Sequence, residues 1–192
     1  MNTKTMIARM DEILIPLGFH REKATWIRSA GSFSDVLDVQ VSKAGDSMTI
    51  NAGMLDAEVY ETCWGNPPPS VIEVSHCTVH ARVGQLIDGK DLWWPAKGER
   101  TPEDVAESLR AHVLPFLGRM HSHVEMERFL TDAEVTKQTY PLPIIHLAVL
   151  RYRCGDKLGA CGVLAELRRR VLGAWRTRAT EVENRLRCAS LG

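Results

Sequence analysis

Six polar side chains lie at alternating positions of three predicted strands and form the best candidate for a binding surface. The six are Gln40, Ser42, Thr49, Asn51, His80 and Arg82. Side chains two positions apart point to the same face of a strand, so strands that share one sheet in a consistent register bring all six together. Amides supply hydrogen-bond donors and acceptors together, and the planar guanidinium of arginine suits a carboxylate or a phosphate.

Two tryptophans, Trp93 and Trp94, are expected to wall this surface. The predicted ligand-binding set is therefore Gln40, Ser42, Asn51, His80, Arg82, Trp93 and Trp94. The alternative is an ordinary solvent-facing sheet surface, or one covered by C-terminal helices that satisfy these polar groups internally.

Cysteine and histidine side chains of the kinds that zinc accepts occur between residues 63 and 80. They are Cys63, His76, Cys77 and His80. If residues 76–83 form a strand, the two histidines point to one face and Cys77 to the other, so one ion would have to be reached from both sides of a sheet. We therefore expect no metal site and interpret Cys77 as a small buried hydrophobic residue.

The sequence contains no glycine-rich phosphate loop, no GxSxG elbow and no HExxH helix. His121 and His123 follow a predicted helix end, where the helix dipole favours histidine. No paired carboxylates stand out, because the acidic residues are scattered over helix and loop as solvated groups are; they are Glu12, Glu58, Glu61 and Glu73. A catalytic triad assembled from distant parts of the chain stays open, but the sequence predicts no catalytic residue and no cofactor.

Charge is balanced over the 192 residues, with 24 basic and 24 acidic side chains, but it is unevenly distributed. From Arg151 onward ten Lys/Arg stand against four acids, a net charge of +6, which leaves −6 for residues 1–150. The run Arg168, Arg169 and Arg170 on the last predicted helix is the candidate for a nucleic-acid contact. A solvated or intramolecularly paired face is the competing interpretation, and zero net charge disfavours nucleic acid as the main partner.

The five cysteines are an odd, scattered set without a CxxC pair. This pattern favours a reducing compartment and predicts no disulfide framework. The N-terminus is polar and amphipathic rather than a signal peptide, and no apolar run approaches the roughly 20 residues that span a bilayer. We therefore expect a cytoplasmic protein that does not engage membranes.

Hydrophobic periodicity predicts a helix over residues 4–16, followed by a three-stranded antiparallel meander. The strands are centred on residues 26–28, 37–42 and 48–54. Residues 57–70 end in Gly65-Asn66-Pro67-Pro68-Pro69-Ser70 and are expected to form a loop, because prolines interrupt regular structure. Alternation then returns over residues 76–83 and predicts a fourth strand.

Thr101 and Pro102 are typical of a helix start, and this helix is expected to reach about Leu117 with a kink or break near Pro115. A short helix is predicted over residues 123–131. A helical hairpin of residues 143–153 and 160–187 follows, turning at Gly155-Asp156. Its last helix carries an apolar stripe that suits a core or a homodimer equally well.

These elements predict an α+β fold. An N-terminal helix packs on a four- to five-stranded, mostly antiparallel sheet, and a helical C-terminal region follows. The division would be a sheet domain of residues 1–97 and a helical region of residues 98–192 packed on it as one structural unit.

A series of short motifs, in this order and spacing, resembles the bacterial family catalogued as domain of unknown function 4304. The motifs are Leu17-Gly18-Phe19, Trp26-Ile27-Arg28, Gln40-Val41-Ser42, Thr49-Ile50-Asn51-Ala52-Gly53, Cys77 with Arg82-Val83-Gly84, and Asp91-Leu92-Trp93-Trp94. The resemblance covers roughly residues 5–130, and the hairpin is similar to an extension of some members. It implies an α+β fold and supplies no established activity or catalytic residue.

The leading hypothesis is a non-enzymatic, cytoplasmic binding protein with a protein partner, immunity-like by analogy with other small bacterial α+β domains. The first alternative is a hydrolase or nucleotide-handling enzyme in which His80, Arg82 and Asn51 surround a small anionic ligand. It requires these three side chains to converge within hydrogen-bond reach in a pocket. The second alternative is nucleic-acid contact through the basic last helix, which predicts binding that falls steeply with salt.

Overall fold

The computed structural model describes residues 3–190, and their chain falls into two compact units. The sheet unit comprises the residues up to Leu55 together with Ser70–Arg119. The helical unit comprises Asp56–Pro69 together with the residues from Met120 onward. Residues 98–119, which the sequence analysis assigned to the helical region, thus belong with the sheet.

The strands form one antiparallel sheet, and the expected α+β class is confirmed. Within the described residues the strands are β1 (His20–Glu22), β2 (Thr25–Ala30), β3 (Phe33–Val41), β4 (Ser47–Asp56), β5 (Val79–Arg82) and β6 (Trp94–Pro95). Their order is β1-β2-β3-β4-β5, and the short β6 pairs with β4 beside β5. The predicted meander is therefore correct and continues into a larger sheet.

The helices account for most of the remaining chain. They are α1 (Thr3–Leu14), α2 (Ala57–Trp64), α3 (Val83–Ile87), α4 (Thr101–Ser108), α5 (Leu114–Arg119), α6 (His123–Asp132), α7 (Leu142–Arg153), α8 (Lys157–Arg170) and α9 (Gly173–Arg185). Short 3-10 turns occupy Ile15–Leu17, Val74–His76, Val135–Lys137 and Cys188–Ser190. Between residues 3 and 190, none of the helices combines the length and the apolar character needed to cross a membrane.

Helix α1 packs in the sheet unit because its apolar residues recur on one face. Met6, Met10 and Leu14 are buried on that face, as the predicted periodicity requires. The indole Nε1 of Trp26, which is fully buried on β2, donates a hydrogen bond of 2.8 Å to Asp11 of α1. The polar tip of the largest core side chain is thereby satisfied.

The predicted helix from Thr101 passes Pro115 without breaking. Proline lacks an N–H group and its ring crowds the preceding turn, which normally kinks a helix. Here the segment Leu109–Val113 widens into a π-helix, in which the N–H of Leu114 bonds to the carbonyl of Leu109 five residues back. The widened turn carries α4 into α5, so the helical structure continues past Pro115 instead of breaking there.

Residues 57–70 are not a continuous loop, and this expectation was wrong for the first half. Asp56 ends β4 and caps α2, its carboxylate accepting hydrogen bonds from the N–H groups of Glu58 (2.8 Å) and Val59 (3.2 Å). Gly65, at a positive φ of 78°, ends the helix. An aspartate N-cap and a glycine C-cap are sufficient to fix a helix of two turns.

The fourth strand is shorter than the alternation over residues 76–83 predicts. Regular pairing with β4 is confined to β5, because Val74–His76 form a 3-10 turn and Val83 begins α3. The sequence analysis also missed β1, whose three residues are exposed and carry no alternating pattern.

The predicted helix of residues 160–187 is two helices. It breaks after Arg170, where Val171 and Leu172 are extended and Gly173 has a positive φ of 56°. Glycine adopts this left-handed conformation readily. The apolar stripe is thus divided between α8 and α9, and its buried members Leu164 and Val182 favour a core role over a dimer interface.

A disulfide joins Cys161 of α8 to Cys188, with an S–S distance of 2.01 Å. The expectation of no disulfide was wrong for this pair, because spacing in the sequence does not reveal which scattered cysteines a helical turn brings together. Cys63, Cys77 and Cys154 are free thiols.

The fully buried carboxylate of Asp35 ties together the start of the sheet unit. Arg28 lies opposite it across β2 and β3 and bonds to one carboxylate oxygen through Nε (2.8 Å) and Nη2 (2.6 Å). The same guanidinium donates to the carbonyl of Leu17 (3.2 Å) and stacks 4.5 Å from the centre of the Phe19 ring. One arginine therefore joins two strands to the chain that follows α1.

Replacing Asp35→Asn should lower the free energy of unfolding by about 2–3 kcal/mol, because it removes the charge that a largely buried arginine needs. Chemical denaturation followed by circular dichroism measures the change. The matched control is Glu12→Gln, which removes an acid from the exposed Arg9–Glu12 pair and should cost less than about 0.5 kcal/mol. Equal losses in the two variants would contradict this account of the pair.

Candidate functional site

The polar face of the sheet is centred on the side-chain amide of Asn51 in β4. Its nitrogen donates to Asp38 (2.7 Å) and to Gln40 (3.3 Å), both on β3. On the other side Asn51 pairs in register with Arg82 of β5, and Gly53 pairs with His80. The three strands share one sheet, and their pairing brings Gln40, Asn51 and Arg82 into one hydrogen-bonded cluster.

Arg82 directs its donors at neighbouring side chains. Nη1 bonds to Asp91 (2.6 Å), Nη2 to Gln40 (3.4 Å) and Nε to Asn51 (3.5 Å). The guanidinium also lies 5.2 Å from the centre of the Trp93 ring, whose Nε1 donates to the second oxygen of Asp91 (2.9 Å). The hydrogen bonds from Arg82 and then from Trp93 lower the pKa of Asp91. Each of the three guanidinium nitrogens of Arg82 therefore already donates a hydrogen bond within the protein.

Two members of the predicted set lie elsewhere. The hydroxyl of Ser42 donates to Asp46 (2.8 Å) in the turn between β3 and β4. Trp94 is buried in β6, paired with Met48, and so belongs to the core rather than to the surface. Thr49 has the alternating spacing of the polar residues in the sequence, but it is fully buried. Its hydroxyl has no hydrogen-bond partner among the described residues.

His80 is exposed on the same face as Asn51 and Arg82. Partial desolvation lowers the pKa of its imidazole, and the negative charge of Asp38 opposes that shift. Neither of its ring nitrogens makes a hydrogen bond to the other described members of the polar face.

An open pocket of about 360 Å³ lies on this polar face. Its lining residues are Ala24, Thr25, Asp38, Val39, Gln40, Asn51, Glu73, Val74 and Ser75. Two of them, Asp38 and Glu73, are carboxylates, and no basic residue is among them. The sequence analysis missed both acids as site residues, although Asp38 shares the period-two pattern of Gln40.

Asp38 is the perturbed group of this pocket. Burial raises the pKa of its carboxyl above the ordinary value of 3.8, and the nearby charge of Glu73 raises it further. The hydrogen bond from Asn51 and the charge of His80 act in the opposite direction. Because the folded protein disfavours a second negative charge here, a cation in the pocket would be stabilised.

Two glycines of the family motifs allow close approach of the chain to itself. A Cβ atom on Gly53 would lie 2.7 Å from the sulfur of Cys77, and one on Gly84 would lie 2.3 Å from the carbonyl oxygen of Lys90. These contacts are shorter than real Cβ atoms tolerate. Glycine at both positions therefore fixes the segment around Cys77 and the segment after α3 against their neighbours.

The structure also shows the surroundings of the cysteines and the histidine that were considered as zinc ligands. Burial raises the pKa of the Cys63 thiol to about 12 and also raises that of Cys77, so both are poor nucleophiles and poor metal ligands. The Nδ1 atom of His76 accepts a hydrogen bond from the N–H of Glu73 (3.0 Å). Over residues 3–190 no three His, Cys, Asp or Glu side chains are grouped as a metal site would require.

The three arginines of the basic run all have partners inside the helical unit. Arg168 pairs with Glu183 (3.1 Å), Arg169 pairs with Glu166, and Arg170 donates to the carbonyl of Thr136 (2.7 Å). These contacts favour the intramolecularly paired interpretation of the run over a nucleic-acid contact.

A family model described as domain of unknown function (DUF4304) matches residues 10–119, more than half of the chain, and the chain belongs to that family. The match contains the whole polar face and both close-approach glycines. Searches of curated proteins and of solved structures return no match.

We expect an NMR titration of the Asp38 carboxyl carbon to give a midpoint above 3.8. Glu73→Gln should lower that midpoint because it removes a neighbouring negative charge, and Asn51→Ala should raise it because it removes the hydrogen bond to the ionised form. The control Glu107→Gln, on the π-helix side of the unit, should leave the midpoint unchanged. A midpoint at or below 3.8 would contradict the burial of this carboxyl.

Gly53→Ala should lower the free energy of unfolding by about 1–3 kcal/mol, because the added methyl group overlaps Cys77. The control is Gly162→Ala in α8, where a Cβ meets nothing within 4 Å and alanine should add about 0.5–1 kcal/mol of stability. Thermal and chemical denaturation of the two variants measure both effects. Tolerance of Gly53→Ala would show that the approach of Cys77 is not fixed.

Proposed function

We propose that the protein is a non-enzymatic, cytoplasmic, partner-binding protein of bacteria, and that it binds a basic segment of a protein partner through the pocket on the polar face. The immunity-like class of small bacterial α+β proteins is the closest analogy. The observation that carries the proposal is the charge of the pocket, which has two carboxylates in its lining and no basic residue.

A lysine or arginine side chain suits this pocket better than an anion does. Asp38 and Glu73 offer acceptor oxygens, and the raised pKa of Asp38 means that an incoming cation relieves an unfavourable charge. Gln40 adds an amide NH2 group at the pocket wall that can meet the backbone of a peptide, whereas the side-chain amide of Asn51 is already bonded to Asp38, Gln40 and Arg82. A volume of about 360 Å³ is in the range of one or two side chains rather than a large cofactor.

The enzyme alternative, built on a small anionic ligand, is less well supported. Arg82, the residue that would hold an anion, is engaged with Asp91, Gln40 and Asn51, and it does not line the pocket. His80 is on the same face but outside the pocket lining. The three side chains required by that alternative therefore do not converge on one cavity.

Two further expectations belong to the same proposal. A cytoplasmic location requires that the disulfide between Cys161 and Cys188 is reduced in the cell, since reducing compartments rarely maintain disulfides. Contact with nucleic acid through Arg168–Arg170 would have to displace the partners that these arginines have within the helical unit.

The test is a quantitative pull-down from the source bacterium with three forms of the full chain as bait. They are the unmodified chain, the double variant Asp38→Asn/Glu73→Gln, and a matched double variant Glu103→Gln/Glu107→Gln that makes the same charge change on α4. We expect a protein that is captured by the unmodified chain and by the matched variant, and lost with Asp38→Asn/Glu73→Gln.

The captured protein is then purified and its affinity measured. Loss of the charge-assisted contacts should weaken binding by about tenfold, and binding should fall as salt screens the carboxylates. A partner that binds all three forms equally, or whose affinity is independent of salt, would refute the role of this pocket.

A further inference from the structure

The helical unit contains a second polar centre, formed by Asp56 and His123. Asp56 is fully buried, and one of its carboxylate oxygens caps α2 through the N–H groups of Glu58 and Val59. The other oxygen bonds to Nε2 of His123, the first residue of α6. A buried carboxylate thus holds the imidazole in one orientation, because a side chain bonded to a rigid cap has little freedom to rotate.

The imidazole of His123 reaches the surface in an open pocket of about 430 Å³. His123 is 27% exposed, whereas its partner Asp56 is 0% exposed. The pocket is lined by Thr62, His123, Val149, Tyr152, Arg153 and Leu186. Two apolar side chains and four polar ones form its wall, a composition common in sites for small ligands.

Arg153 and Tyr152 bring unused donors to this wall. One nitrogen of Arg153 bonds to Glu58, and no other hydrogen bond joins its guanidinium to a described residue. A guanidinium carries five N–H donors, so several are available to a ligand. The hydroxyl of Tyr152 has no hydrogen-bond partner among the described residues, and the ammonium of Lys157 lies 5.4 Å from the centre of the Tyr152 ring.

The pocket lining contains one cation, Arg153, and no acidic side chain, which suits a negative ligand. Arg153 and Lys157 are cations at or beside its wall, and Arg185 donates to the carbonyl of Thr62 (3.0 Å) nearby. Asp56 does not line the pocket: it is fully buried behind His123, and both its oxygens accept hydrogen bonds. Glu58 is the acid next to Arg153 and is already paired with it.

We propose that this pocket binds a small oxyanion ligand, a carboxylate or a phosphate monoester. Arg153 supplies the charge, Tyr152 donates through its hydroxyl, and His123 lines the wall in the orientation set by Asp56. Val149 and Leu186 contact the apolar part of the ligand. Five of the six lining residues lie beyond residues 10–119, the part of the chain that matches the family model, and none of the six lines the pocket on the polar face.

The experiment titrates the full chain with inorganic phosphate and, separately, with acetate, followed by two-dimensional amide NMR. We expect saturable shifts in the signals of the pocket residues with at least one of the two anions at about millimolar concentration. Saturation with phosphate alone identifies a phosphate ligand, and saturation with acetate identifies a carboxylate ligand.

Variants connect binding to the pocket. Arg153→Gln should weaken binding by about tenfold, and Tyr152→Phe, which removes only the hydroxyl, should weaken it by about threefold or more. The matched control Arg128→Gln removes the same charge from the exposed pair with Glu125 (2.9 Å) and should change affinity by less than about twofold. Thermal denaturation verifies that each variant is folded.

Two results would overturn the proposal. One is the absence of saturable shifts with either anion up to about 20 mM, a concentration at which even a weak site is occupied. The other is binding that Arg153→Gln and Arg128→Gln weaken to the same extent, which would indicate general charge attraction rather than a site.

Discussion

The side-chain amide of Asn51 is the interaction on which the polar face depends. It lies on β4, which has paired strands on both sides, and it bonds to β3 through Asp38 and Gln40 and to β5 through Arg82. A carboxylate, two amides and a guanidinium within one network polarise one another, and each would be costly if left without a partner. The network therefore fixes the side chains of three strands together rather than one pair at a time.

This constraint also explains which part of the structure was accessible from the sequence. The alternation of β3, β4 and β5 is strict, so period-two reasoning gave the correct face for Gln40, Asn51 and Arg82. The same reasoning could not predict what these three side chains bind, because a free binding surface and an internally bonded network have the same alternating pattern. Asp91 accepts a hydrogen bond from the guanidinium of Arg82 and so makes Arg82 part of an internal network. Asp91 lies on a loop, and periodicity in the sequence does not reveal where a loop lies in the fold.

The errors in the sequence analysis have local causes. Prolines 67–69 suggested that the whole segment from residue 57 was irregular, whereas the capping residues Asp56 and Gly65 enclose a short helix ahead of them. The break at Gly173 was hidden because the apolar periodicity continues across it. The position of Glu73 in the pocket lining and the pairing of Cys161 with Cys188 depend on distant contacts, which composition and spacing do not encode.

Two arginines of the basic C-terminal region stabilise the end of α2. Arg178 and Arg185 of α9 donate to the carbonyls of Thr62, Cys63 and Trp64 at the end of α2. Cations at a helix C-terminus satisfy its unpaired carbonyls and complement its dipole. Arg178 also lies 4.5 Å from the centre of the Trp64 ring. The positive charges of Arg178 and Arg185 are thus used in contacts within the helical unit.

The π-helix at Leu109–Val113 has a consequence for how this chain tolerates changes of length. A π turn contains one residue more than an α turn between the same two ends. The side chains after it therefore point in the directions that they would have in an α-helix one residue shorter. Phe116 and Leu117 are buried in these orientations. Deleting one residue from this segment would convert the π turn to an α turn and leave the core residues after it in the same orientation.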